Sequence, residues 1–149
     1  MSHHLLLIIH LLSAAIWVGG HLLLVLGYLP QALKEKNLNI ILNYEKKYEP
    51  VGMTALILLL ITGILMAYQY GVSVGYWFHF DTPIEKVVST KLLLLFLTVL
   101  FALSAQFRVI PQLKNNPDKL PEMTFHILSV TLIGVLMLIF GSFIRFGGF

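Results

Sequence analysis

Two histidines, His10 and His21, stand eleven residues apart in the first apolar run, His10-Leu-Leu-Ser-Ala-Ala-Ile-Trp17-Val-Gly-Gly20-His21. In a helix, eleven steps of 100° return to within about 20° of the start, so both imidazoles share one face. At 1.5 Å per residue they lie roughly 16 Å apart along the axis. Ser13, Ala14 and Trp17 fall on or near that face. A third histidine, His126, opens the last apolar run, and Met137 follows it by eleven residues on the same face. Lys91 opens the third run. Neutral imidazole is a ligand for iron, copper and zinc alike. In a membrane such groups are costly and mark a site when they converge. Taken singly, a membrane histidine is ordinarily a packing residue bonded to a nearby carbonyl or threonine, and a methionine a gap-filler.

The elements that must position these groups follow from composition. The chain has 149 residues, 58% hydrophobic and 11% charged, and a mean hydropathy of +0.86. That balance excludes a soluble domain. No cysteine occurs, which excludes disulfides, thiolate metal sites and cysteine nucleophiles. Four apolar runs, about 5–29, 51–71, 88–109 and 122–146, each reach the roughly 20 residues that a spanning helix needs. The sequence therefore predicts an all-α integral membrane four-helix bundle, residues 1–149 forming a single four-span domain. The first run is too long for a signal-peptide core and lacks a basic leader and a small-residue cleavage site, so it reads as a span.

Between the spans, Gln31 to Pro50 reads as a polar connection with a short interfacial helix over Asn43–Glu49, and Pro50 as the opening of span two. The loop Gly71–Asp81, with Tyr76 and Trp77, suits an aromatic interfacial belt alongside Tyr68 and Tyr70. No internal repeat is evident. Lys34, Lys36, Lys46 and Lys47 in the first connection, and Arg108, Lys114 and Lys119 around the third, outnumber Lys86, Lys91 and Arg145 on the other side. The positive-inside rule then makes the basic connections cytoplasmic and both termini periplasmic, in a bacterial inner membrane. The basic edges suit anionic lipid and give no case for nucleic acid.

With that orientation, antiparallel spans one and four match His21 with His126 near the inner face and His10 with Met137 near the outer one. Lys91 and His79 are other partners for His10. Imidazoles from facing helices of a bundle are what the two axial positions of a haem require. The pattern predicts a membrane b-type cytochrome with one or two haem b. His21 and His126 form its axial pair, His10 serves a second haem, and Trp17 stacks on a porphyrin. One-electron transfer, with quinone as a partner, would need an interfacial acid such as Glu49, Asp81 or Glu85. Small four-span proteins pair through glycine-bearing faces, so a homodimer is a further expectation.

The segment His10 to Gly20, a histidine followed by Trp17 and the Gly19-Gly20 pair, resembles the first span of the copper-resistance D (CopD) family. Glu45-Lys-Lys-Tyr48 with Met53-Thr54 and Gly63, and Lys91 opening span three, are similar to the related HemJ-type protoporphyrinogen oxidases, four-span proteins that bind haem b. The HemJ resemblance implies a haem-dependent enzyme acting on a porphyrin, with His10 and Lys91 as key residues. The CopD resemblance implies copper transport or resistance, with His10, His21 and His126 as metal ligands. His21 and His126 depart from the HemJ pattern. The chain has no methionine cluster of the kind that favours soft Cu(I).

Overall fold

The computed structural model describes residues 2–149, with the backbone alone at Asn115 and Pro117. Helix α1 spans His3–Leu23 and passes through a π-helical turn, Leu24–Tyr28, into the short α2, Leu29–Glu35. After a reversal at Lys36, whose φ is 50°, α3 runs Asn39–Gln69. Helix α4, Pro83–Ser104, passes through a second π-helical turn, Ala105–Val109, into α5, Ile110–Asn115, and α6 closes the bundle over Leu120–Phe143. No strand occurs among the described residues. Four continuous helical stretches, His3–Glu35, Asn39–Gln69, Pro83–Lys114 and Leu120–Phe146, are long and apolar enough to cross a bilayer.

The ends of the helices follow from local chemistry. The Ser2 side chain accepts the Leu5 N–H and caps α1. Thr82 and Glu85 form a reciprocal capping box at the start of α4, with Pro83 at the first helical position. Each π-helical turn has the same cause. Pro30 and Pro111 lack an N–H and crowd the carbonyl four residues back, that of Leu26 or Phe107, which lies within the turn. Widening one turn to π geometry removes the clash without ending the helix.

Helix α3 differs from the expectation. Pro50 does not open the span but sits inside a 31-residue helix, about 46 Å long at 1.5 Å per residue. Residues 43–49 are thus the first turns of the spanning helix rather than a separate interfacial piece. Pro50 costs one backbone bond, and the Thr54 hydroxyl donates to the Pro50 carbonyl at 2.8 Å.

The chain also contains an internal repeat. Leu24 and Ala105 open the two π-helical turns, Leu29 and Ile110 the two short helices, and Asn39 and Leu120 the long helices that follow; each step is 81 residues. Leu29-Pro30-Gln31 aligns with Ile110-Pro111-Gln112 at that shift. Core positions align as well: Leu6 with Val87, Trp17 with Thr98 and Ala32 with Leu113 are all buried. Only the proline and glutamine survive as a local signature, because one branched apolar side chain replaces another freely in a packed helix face. That is why the repeat escapes a reading of sequence alone.

Packing divides the bundle into three levels. At the basic end, Leu24, Ala32 and Ile41 from the first half close on Val109, Leu113 and Met123 from the second. In the middle, Trp17 and Val18 of α1 meet Ala55 and Leu56 of α3 and Val130 of α6. At the far end, Ala67, Val72 and Val88 pack beneath the aromatic loop with Trp77. Gly134 lets α6 approach α1, where a methyl group would come within 3.3 Å of Val18.

Candidate functional site

Between the basic-end and middle levels lies a cavity of about 590 Å³, counting its open mouth. His21 and Trp17 of α1, Glu45, Tyr48, Glu49 and Met53 of α3, Ala102 of α4, Gln106 of the second π-helical turn and His126 of α6 line it. His21 and His126 therefore enter one cavity from different helices.

The orientation of each imidazole is fixed by its inner nitrogen. His21 Nδ1 donates to the Trp17 carbonyl at 2.8 Å. His126 Nδ1 donates to the Glu122 carbonyl at 2.9 Å. Both bonds run to the carbonyl four residues back along the same helix, so both rings offer Nε2 as the lone-pair nitrogen. His126 Nε2 accepts from the Ser104 hydroxyl at 3.1 Å. A backbone carbonyl on Nδ1 with Nε2 free or exchangeable is the usual preparation of a metal-ligating histidine.

Tyr48 holds this wall in place. Its phenol donates to the Ile16 and Trp17 carbonyls at 3.1 and 3.0 Å, the latter being the carbonyl that also receives His21. Its ring meets the His21 ring edge-on, with centroids 5.7 Å apart. Glycine is required on both sides. A methyl group at Gly20 would fall within the Tyr48 ring, and one at Gly52 would lie 2.7 Å from it. Tyr44, one turn earlier, donates to the Gly20 carbonyl at 2.6 Å and stacks on Tyr48 at 5.5 Å. Trp17 is buried with its ring 4.5 Å from that of His21, so it packs on the histidine.

His10 lies apart from this cavity. Its Nδ1 donates to Thr62 Oγ1 at 2.8 Å, and the Thr62 hydroxyl donates in turn to the Leu58 carbonyl at 2.6 Å. Gly63 lies against the ring: a methyl group there would come within 3.4 Å of His10 Cε1. Across the bundle, a methyl group at Gly141 of α6 would lie 3.2 Å from Lys91 Nζ of α4. Away from the cavity, polar side chains thus lie at two helix contacts, His10 with Thr62 between α1 and α3 and Lys91 against Gly141 between α4 and α6. Met137 is half-buried one turn before Gly141, on the same face of α6. His79 stays in the loop, 3.7 Å from Asp81.

Among the described residues, no three His, Asp or Glu side chains converge closely enough to hold a metal ion. The cavity instead presents separated donors on its walls: two imidazoles, the Glu45 and Glu49 carboxylates and the Met53 thioether. Sequence reasoning placed Glu49 at the interface and took Glu45 and Tyr48 only as part of a family-like motif, not as cavity residues, because it started the span at Pro50. The signal was present as the spacing Glu45, Glu49, Met53, which puts three donors on one helical face.

The family model described as copper resistance protein D (CopD) matches residues 43–146. No significant match is found among curated proteins or among solved structures.

Proposed function

The chain belongs to the copper resistance D family, and from that premise we propose that it binds copper ions in the His21–His126 cavity and conducts them through the bilayer. The observation that carries this reading is the cavity itself. Two imidazoles from α1 and α6, both offering Nε2, face carboxylates and a thioether of α3 inside a membrane bundle. Copper(II) stands highest among the first-row divalent ions in affinity for nitrogen and oxygen donors. Polar groups set within spanning helices line the pathways of transported ions. The residues that bind are His21 and His126, with Met53 and the carboxylates of α3 at hand. Trp17 and Tyr48 position them. Separated donors suit cargo, which must leave as readily as it enters. The basic end, which carries Lys34, Lys36, Lys46, Lys47, Lys114 and Lys119, faces the cytoplasm by the positive-inside rule, with both termini periplasmic.

Competition for copper between the purified protein and a chromogenic chelator tests the reading. One equivalent should bind with an affinity that falls at least tenfold in His21→Ala and in His126→Ala. Wild-type affinity in both variants would refute it.

A haem b reading of the same cavity rests on the same two imidazoles, which are the ligand pair that an axial site requires. An absorption spectrum decides between them. Protein that purifies colourless and takes up copper supports the copper reading. A Soret band lost in His126→Ala would replace it with haem.

A further inference from the structure

A second cavity of about 600 Å³, counting its open mouth, lies at the basic end of the first half. Tyr28 of the first π-helical turn and Gln31 of α2 form one side of it. Ile40, Asn43, Tyr44 and Lys47 form the other, a single face of α3 at steps of three and four residues. Tyr44 is tied to the Gly20 carbonyl at 2.6 Å, and the Tyr28 ring lies 4.8 Å from its own.

The cavity holds donors that nothing in the chain uses. Among the described residues, neither the Lys47 ammonium nor the Asn43 amide has a hydrogen-bond or ion-pair partner. The Gln31 amide gives one N–H to Glu35 at 2.9 Å and keeps a second. The internal repeat supplies the comparison. At the shift of 81 residues, Tyr28, Asn43, Tyr44 and Lys47 correspond to Val109, Thr124, Phe125 and Leu128. The second half therefore folds the same corner without the lysine, the asparagine or either phenol. Its own cations, Arg108 and Lys119, both pair with Glu122. Building the corner does not call for Lys47 or Asn43, and the first half leaves its charge open.

We propose that this cavity binds the headgroup phosphate of an anionic phospholipid, with Lys47 and Asn43 as donors to the phosphate oxygens. The ammonium meets phosphate as a point charge, and the amide adds a directed bond. Basic pockets between spanning helices hold anionic headgroups, and tyrosine rings suit the headgroup region. The adjoining surface favours a lipid over a free anion. Leu26 and Leu33, which flank Tyr28 and Gln31 along the chain, are exposed apolar side chains of the kind that an acyl chain covers. The site is separate from the His21–His126 cavity and does not depend on the copper reading.

Native mass spectrometry of the delipidated full chain in detergent tests the proposal, with phosphatidylglycerol, phosphatidylcholine and inorganic phosphate as probes. One phosphatidylglycerol should bind at least tenfold more tightly than phosphatidylcholine. Lys47→Gln should weaken it about fivefold, the share of one lysine at an anionic surface. Adding Asn43→Ala should bring it close to phosphatidylcholine. Lys46→Gln removes the same charge outside the cavity and should change the affinity less than twofold. All three side chains are exposed, and an unchanged Tm confirms that each variant folds. Equal losses in Lys46→Gln and Lys47→Gln would reveal a diffuse basic edge and overturn the site. Equal affinity for the two lipids would overturn it as well. Inorganic phosphate binding as tightly as phosphatidylglycerol would overturn the lipid assignment in favour of a soluble anion.

Discussion

Gly19 and Gly20 are neighbours in α1 with opposite surroundings, and alanine substitutions separate packing from helix propensity. A methyl group at Gly19 meets nothing within 4 Å. Gly19→Ala should therefore bring only the gain in helix propensity, about 0.5–1 kcal/mol. A methyl group at Gly20 would collide with the Tyr48 ring, which bonds to the Ile16 and Trp17 carbonyls. Displacing a packed ring costs about 1–3 kcal/mol, and losing the phenol bond costs about 1 kcal/mol. After the propensity gain, Gly20→Ala should destabilise by about 1–3 kcal/mol. For a chain of this size, each kcal/mol moves Tm by about 2–4 °C. Thermal unfolding in detergent should show Tm lowered by several degrees in Gly20→Ala and held or slightly raised in Gly19→Ala. Copper affinity should also fall about 10–100-fold in Gly20→Ala, the usual cost of losing a group that orients a ligand. Equal stability and equal affinity in the two variants would refute the role given to Tyr48.

Three more substitutions probe other parts of the structure. Pro50→Ala restores an N–H within α3 and should raise stability by about 1–3 kcal/mol, read as an upward shift in Tm. Ser104→Ala removes the hydroxyl 3.1 Å from His126 Nε2 and should strengthen copper binding; a tenfold loss would show that the hydroxyl orients the ring instead. At Gly148, where φ is +97° and a methyl group would clash with the Pro83 backbone, alanine should release the C-terminal turn from α4. The change is readable as faster amide exchange at Ile144–Phe146 and at the start of α4.

The four spans were legible because apolar length alone sets them. The depth match of His21 with His126 was legible because two antiparallel helices leave little freedom in register, and both side chains line one cavity. The inward carboxylates were not legible, since Pro50 reads as a helix start and only the tertiary packing of Tyr44 and Tyr48 onto α1 carries the helix through it. His10 shows the opposite case. Its sequence position suggested a ligand paired with Met137, whereas the imidazole bonds Thr62 on α3, a partner that no spacing on α1 or α6 reveals. The repeat lay beyond sequence reading because its halves share geometry more than residues. His10 stands opposite Lys91 and Glu45 opposite His126, exchanges that conserve a polar seat while changing its chemistry.

The central claim is that His21 and His126 hold copper in one cavity. X-ray absorption at the copper edge of the copper-loaded full-length protein tests it most directly. The account predicts two imidazole nitrogens in the first shell, one lost in His126→Ala and both lost in the double variant with His21→Ala. An unchanged first shell in the double variant would contradict it.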